Sequence, residues 1–158
     1  SSTRCRQRRN VRSMLSVALT LVLAQGTVRV AVLDVSAADA IYEDVSRALA
    51  EKVSDELLKK GFLSKRVDES EVPIDGCRIG PCLGVIAKSQ SADVLVIVDA
   101  VEGAKGKVEV VLSAMRGRDG LPLAAGKWTT TAEGKQNKQL SKFLVATQKA
   151  VAKNVSAP

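Results

Sequence analysis

The 158-residue chain contains no histidine, and its aromatic residues are limited to one tryptophan, one tyrosine and two phenylalanines. Without histidine, neither a Ser-His-Asp nor a Cys-His nucleophile can be assembled. With three cysteines in all, the chain also lacks the four Cys or His ligands that a structural zinc usually takes. No glycine pattern matches a P-loop or a strand-bound dinucleotide motif. These absences predict a non-enzymatic protein that uses no metal and no cofactor.

The first 26 residues join a basic segment to a short apolar one. Five arginines and no acidic residue precede the apolar run Met14 to Ala24. A basic start, an apolar core of roughly 7 to 15 residues and small residues at the cut are typical of a secretory signal peptide. The run is shorter than the roughly 20 apolar residues of a membrane helix. We expect residues 1–26 to be a leader cleaved at Ala24 or Gly26, and the mature protein to be periplasmic with no membrane span. The alternative is an amphipathic tail on a cytosolic protein.

The net charge of +7 is concentrated in this leader. The whole chain has 24 basic and 17 acidic residues. Removing the five leader arginines leaves 19 basic residues against 17 acidic ones, a net charge of +2. A nucleic-acid-binding domain is expected to show a basic stripe interleaved with aromatic side chains. Here lysines alternate with acidic residues, so nucleic acid is not expected as a partner.

Residues 27–158 are long enough to form one domain around a single core. Segments rich in β-branched residues alternate with segments of helical periodicity. We expect strands at 27–35, 62–67 and 92–101, two further strands separated by a turn near 119–120, and helices beginning near 39 and 80. A closing helix has an apolar face at Leu140, Phe143, Leu144, Thr147 and Val151. The predicted order is β-α-β-α-β-β-β-α, an α/β (α+β) fold with a single mixed sheet flanked by helices.

Two phrases of the sequence resemble a known family. RVAVLDV opens the first strand, and GC…CLGVIAKSQSADVLVIVDAVEG follows after an amphipathic helix. Together they are similar to the amino-terminal domain of TolB, whose fold is shared with the curli pore protein CsgG and with lipoprotein activators of penicillin-binding proteins. The cysteine pair before AK…ADVLV looks like that of TolB-like domains in myxobacterial envelope proteins. The resemblance covers Arg29 to about Thr131 and implies the TolB amino-terminal fold and a binding role in the cell envelope.

Cys77 and Cys82 are separated by four residues. A metal site would need two more good ligands. Thiol–disulfide catalysis favours C-x-x-C rather than this spacing. In an oxidising compartment the pair predicts a disulfide that closes a small loop, worth about 2 kcal/mol in the chain-entropy model. In a cytosolic protein the same residues would be two buried thiols.

The last predicted strand, residues 121–131, contains Pro122 and is therefore expected at a sheet edge. Edge strands can pair with a strand of a partner. We expect partner contacts at this strand, with the alternative that its tryptophan simply covers one face of the sheet. The candidate contact residues are Trp128, Thr129, Thr130 and Thr131.

Other polar residues have two interpretations each. Arg116 and Arg118 form a candidate basic tip for an acidic partner, or a solubilising hairpin turn. Asp34 and Asp99 each end an apolar strand, where open sheets place functional acids, but they could equally cap the turn that follows. The sequence thus favours an adaptor that binds an unidentified envelope protein. The alternative is an oligomeric structural subunit of an envelope or secretion complex, in the manner of CsgG.

Export and the disulfide can be tested together by mass spectrometry of a periplasmic extract alkylated without reductant. We expect a chain that begins near Gln25 or Thr27, two hydrogens lighter than its reduced form and carrying no alkyl label. A full-length chain with every cysteine alkylated would contradict both expectations.

Overall fold

The computed structural model describes residues 28–35, 40–68, 71–72, 80–130 and 138–155. Within these ranges the element order is β-α-β-α-β-β-β-α, as predicted, and it builds a single mixed sheet flanked by helices. A short 3-10 turn, Ala104–Gly106, joins the third and fourth strands. The elements are β1 (Arg29–Val35), α1 (Ala40–Lys59), β2 (Leu63–Val67), α2 (Gly80–Ser89), β3 (Val94–Glu102), β4 (Val108–Arg116), β5 (Pro122–Thr130) and α3 (Lys138–Asn154).

The sheet has the strand order β2-β1-β3-β4-β5. β1 pairs in parallel with β2 on one side and with β3 on the other, whereas β3, β4 and β5 form an antiparallel meander. The connection through α1 therefore moves away from β3, and the connection through α2 moves back past β1. Because parallel crossovers are right-handed, two crossovers in opposite directions place their helices on opposite faces of the sheet.

The larger core lies between the sheet and the face covered by α1 and α3. Alternate residues of β1, β3 and β4 point into it, since successive side chains of a strand face opposite sides. The apolar stripe of α1 packs there through Leu49, Val53 and Leu57, all fully buried. The buried residues of α3 are those predicted from its periodicity: Leu140, Phe143, Leu144, Thr147 and Val151.

A smaller core lies on the opposite face, beneath α2. Leu83 and Ile86 of this helix pack against Ala31, Leu33 and Leu95 of the central strands. The amino-terminal half of β3 is consequently buried on both faces, which accounts for its nearly continuous apolar sequence.

Among the described residues, no helix combines the length and the apolar character that a membrane crossing requires.

The first two helices end in the same hydrogen-bonding motif. After α1, Gly61 has a φ of +93°, and Phe62 donates its N–H to the carbonyl of Leu57 at 3.1 Å. After α2, Ser91 has a φ of +51°, and Ala92 donates its N–H to the carbonyl of Ala87 at 2.8 Å. Both are Schellman ends, in which a left-handed residue satisfies the last carbonyls. Glycine is the usual residue at such a left-handed position, as at Gly61, whereas the end of α2 uses a serine.

Gly117, in the turn between β4 and β5, lies directly against the start of β3. Its N–H donates to the carbonyl of Asp93 at 2.8 Å. A β-carbon at this position would lie 2.3 Å from the carbonyl oxygen of Ala92 and 3.1 Å from the β-carbon of Ala87. The oxygen belongs to the backbone and cannot rotate away, so this approach of the turn to β3 requires glycine.

We therefore expect Gly117→Ala to lower the free energy of unfolding by about 2 kcal/mol, a typical cost of overpacking. Gly84→Ala is the matched control, because a β-carbon there meets nothing closer than 3.9 Å. Replacing a glycine inside a helix by alanine should stabilise the protein by roughly 0.5–1 kcal/mol. Urea unfolding of both variants measures the difference, and equal stability of the two would contradict the close approach.

Candidate functional site

β5 forms one edge of the sheet and has β4 as its neighbour. Arg116 of β4 donates its N–H to the carbonyl of Leu121 at 2.8 Å. The backbone N–H of Arg116 therefore points towards β5, and this shows which residues of β4 bond to β5. In an antiparallel pair the backbone groups of successive residues point alternately towards the neighbour and away from it. With the observed register, the even-numbered residues from 124 to 130 bond to β4. The N–H and C=O groups of Ala125, Lys127 and Thr129 therefore point outward from the sheet.

The side chains of β5 divide between the two faces of the sheet. Trp128 pairs with Val110, whose side chain belongs to the larger core, so the indole lies on the helix-covered face. It is half-buried, and the neighbouring Gly126 leaves room for it and for Phe143 of α3. The buried indole N–H has no hydrogen-bond partner among the described residues. Trp128 thus lies over one face of the sheet, and a partner contact at Trp128 stays a prediction.

The predicted threonine contacts are distributed differently. Thr129 pairs with Glu109, and its side chain is exposed on the face opposite Trp128. Thr130 is the last residue of β5, and Thr131 lies outside the described residues. On the same face as Thr129, the ammonium of Lys127 lies 3.0 Å from the carboxylate of Glu109. The free edge therefore presents outward backbone groups beside polar and charged side chains, as is common for edges that avoid indiscriminate pairing.

Of the two arginines of the predicted basic tip, one is exposed and the other is hydrogen-bonded within the protein. Arg118 is exposed, but the side chain of Arg116 is only 16% exposed. The guanidinium of Arg116 donates to both carboxylate oxygens of Asp119, with an Nε–Oδ1 distance of 2.8 Å, and to the carbonyl of Asn154 at 3.0 Å. Arg116 therefore ties the β4–β5 turn to the carboxyl end of α3, where the last carbonyls of a helix lack partners.

A groove of about 640 Å³ opens beside this turn, between the outer side of α2 and the end of α3. Val85, Ala92 and Val155 provide its apolar surface, and Lys88 and Arg118 are the cations along it other than Arg116. The sequence indicated Arg118 but not the groove, because its walls come from segments up to about seventy residues apart. We refer to this feature as the α2 groove.

Asp34 and Asp99 do not form a common site. Asp34 pairs with Val98, and both side chains lie on the face of the larger core. Asp99 follows Val98 in β3, so its side chain points to the opposite face. The buried carboxylate of Asp34 accepts a hydrogen bond from Arg66 at 3.3 Å. Because the two carboxylates lie on opposite faces, they cannot act as a catalytic acid and base on one substrate.

Arg66 is shared by several carboxylates at the same end of the sheet. It pairs with Asp34, Asp68 and Glu51. The pKa of Arg66 is raised: desolvation by burial opposes the shift, but the hydrogen bond that Arg66 donates to Asp68 and the three negative charges outweigh it. This cluster fastens β2 to β1 and α1, and its guanidinium holds the carboxylates in ion pairs.

Cys82 lies near the start of α2, packs against the smaller core and takes part in a disulfide bond. Cys77, its predicted partner, lies outside the described residues, so the pairing of these two cysteines stays a prediction. No group of three or more Cys, Asp or Glu side chains placed to hold a metal ion occurs within the described ranges.

No protein-family model matches the chain, and no curated protein matches it. Solved structures similar to it include the lipoprotein GNA1162 from Neisseria meningitidis, at 16% identity and a TM-score of 0.47, covering 80% of this chain and 97% of that one. Another is the LpoB C-terminal domain from Salmonella enterica, at 15% identity and a TM-score of 0.42, covering 68% and 84% of the two chains. Neither likeness assigns a role to any residue. The resemblance to TolB and CsgG stays a prediction.

The Arg116–Asp119 pair gives the turn a defined pH dependence. The hydrogen bond from Arg116 is the main cause that lowers the pKa of Asp119 from 3.8 to about 2. A carboxylate whose pKa is lower in the folded state stabilises the fold fully above its unfolded pKa, and the stabilisation is lost as the pH falls through the folded pKa.

We expect Asp119→Asn to lower the melting temperature above about pH 5, and this difference from the parent protein to shrink as the pH falls towards 2. Thermal unfolding monitored by circular dichroism across this range measures it. Asp55→Asn is the control, because Asp55 is exposed on α1. A difference for Asp119→Asn that stays constant down to pH 2 would contradict the ion pair.

Proposed function

We propose that this chain is a non-enzymatic binding domain of the bacterial cell envelope, which holds a partner protein by pairing the outer edge of β5 with a strand of that partner. The observation that carries the proposal is the nine-residue length of this edge strand. Ala125, Lys127 and Thr129 offer three successive sets of outward backbone groups. Strand addition draws its affinity from such main-chain hydrogen bonds.

The other edge of the sheet is less suited to strand addition. β2 contains five residues, and Arg66 within it is committed to the carboxylates of Asp34, Asp68 and Glu51. β5 is longer, and α3 supports one of its faces through Phe143, which lies against Gly126. A partner strand would therefore add to an edge strand that α3 already holds in place from one face of the sheet.

The envelope as the working compartment is supported by two features of the sequence and one of the structure. Residues 1–26 have the pattern of a secretory leader, and the phrases around β1 and β3 resemble TolB-like envelope proteins. Cys82 takes part in a disulfide bond. Disulfides persist in oxidising compartments such as the bacterial periplasm.

A second candidate function is an oligomeric structural subunit, favoured by the presence of an edge strand at each end of the sheet order. Pairing of β5 in one copy with β2 in the next would be a heterologous contact, which generates rings or open filaments. Leu63 of β2 is half-exposed and would lie in such an interface. A molar mass that rises with concentration in light scattering would favour this function over the adaptor.

Thr129→Pro tests the edge directly, because proline removes an outward N–H without removing a bond of the β4–β5 ladder. We expect the affinity for the partner recovered from the envelope of the native cells to fall at least about tenfold. Thr129→Ala, which keeps the N–H, should bind as the parent protein does. Both variants must melt near the parent temperature. Equal partner binding by the proline variant would contradict strand addition at β5.

A further inference from the structure

The α2 groove is built from three separate parts of the chain that are locked together. Ala92 and Asp93, just before β3, provide one wall, and Gly117 approaches this wall through its hydrogen bond to Asp93. Arg116 fixes the same turn to Asn154 at the end of α3, next to Val155. The backbone segments that form the groove are therefore held in place by hydrogen bonds within the fold, which limits the backbone ordering that binding would require.

The middle of the groove is apolar and accessible. Val85 projects from the outer side of α2 and is 48% exposed, although it is a large aliphatic residue. Gly84 and Gly117 both line the groove, and a β-carbon on Gly84 would still be 3.9 Å from the carbonyl oxygen of Gly117. The absence of a side chain at Gly84 leaves space for a group of the ligand. An aliphatic side chain of a ligand would bury Val85 and so remove apolar surface from water, which favours binding.

The charged groups of the groove give its rim a positive sign. Lys88 and Arg118 make no ion pair among the described residues, whereas the charge of Arg116 is compensated by Asp119. The acidic side chain among the described lining residues is Asp93, whose carboxylate accepts the backbone N–H of Arg29 at 2.9 Å and keeps its negative charge. With Arg116 paired to Asp119, Lys88 and Arg118 outweigh Asp93, so the described lining carries a net positive charge beside an apolar centre. Such a surface is complementary to an apolar group between carboxylates.

We propose that the α2 groove binds a peptide segment of the partner protein in which an aliphatic side chain is flanked by acidic residues. The aliphatic side chain would pack on Val85 beside Gly84, and the carboxylates would pair with Lys88 and Arg118. This inference deepens the proposed binding function by naming the chemistry of a partner segment. It concerns a surface other than the edge of β5.

The composition of the groove favours a peptide over a membrane or a nucleic acid. Recognition of anionic lipid usually needs a cluster of about four to eight basic residues, whereas Lys88, Arg116 and Arg118 are the basic residues among the described residues of this lining. Single-stranded nucleic acid is bound on aromatic platforms, and no aromatic side chain is among the described residues that line the groove. An acidic peptide with an aliphatic side chain is complementary to both the apolar centre and the small number of cations.

The probe for the test is a fluorescein-labelled peptide in which a leucine–valine pair is preceded by two glutamates and followed by two glutamates. Its affinity for the protein is measured by fluorescence anisotropy. Because each exposed ion pair contributes little by itself, we expect reversal of both charges in the Lys88→Glu, Arg118→Glu double variant to weaken binding about tenfold. The control is a Lys142→Glu, Lys149→Glu double variant, which makes the same change of net charge on exposed positions of α3. This control should keep the parent affinity.

Three results would overturn the proposal: no binding of the peptide to the parent protein, equal weakening in the two double variants, or tighter binding to anionic phosphatidylglycerol vesicles than to the peptide. Amide chemical shifts locate the site independently, and we expect the changes at Val85, Gly117 and Val155. Changes confined to β5 would also overturn it. Since Thr129→Pro leaves the groove intact, loss of peptide binding and loss of strand addition are separate outcomes.

Discussion

β3 is hydrogen-bonded along both edges, and its amino-terminal half is buried on both faces of the sheet. This one strand joins the parallel half of the sheet to the antiparallel half. The chain reaches β3 from β1 through β2, with one crossover helix on each face of the sheet, and the antiparallel pairing of β3 with β4 begins the meander that ends at β5. The position of the free edge therefore follows from the position of β3.

The start of β3 also determines the shape of the surface beside the meander. Gly117 can bond to the carbonyl of Asp93 because it lacks a β-carbon, and this bond holds the β4–β5 turn against α2 and β3. Arg116 then connects the turn to Asn154, so α3 is fixed at the same point. The edge of β5 and the α2 groove thus depend on one anchored turn. A partner that contacts both surfaces would gain from the effective concentration of two linked sites.

Much of the fold can be predicted from local sequence patterns, because these patterns report which side chains face the core. The five buried positions of α3 follow from helical periodicity, and Gly61 marks the end of α1. The end of α2 is harder to predict from the sequence, because the left-handed residue there is Ser91 and not glycine, which adopts this conformation at lower cost. Parallel and antiparallel pairing, and the placement of α1 and α2 on opposite faces, depend on long-range topology rather than on local pattern.

The candidate site was predicted only in part, for the same physical reason. Pro122 indicated the edge strand, and Arg118 is exposed as a basic tip would be. The roles of Arg116 and Gly117 depend on contacts with residues far away in the sequence, namely Asn154 and Ala92. No local pattern encodes such contacts. The α2 groove likewise exists only where three distant segments meet.

The central claim is that β5 is an open edge which a partner strand completes. Hydrogen exchange of individual amides, measured by NMR for the free protein and for its complex with the envelope partner, tests it most directly. The account predicts fast exchange at Ala125, Lys127 and Thr129 in the free protein and slow exchange in the complex, with the amides of residues 124, 126 and 128 slow in both. Fast exchange at the three outward amides in the complex would contradict it, as would slow exchange there in the free protein.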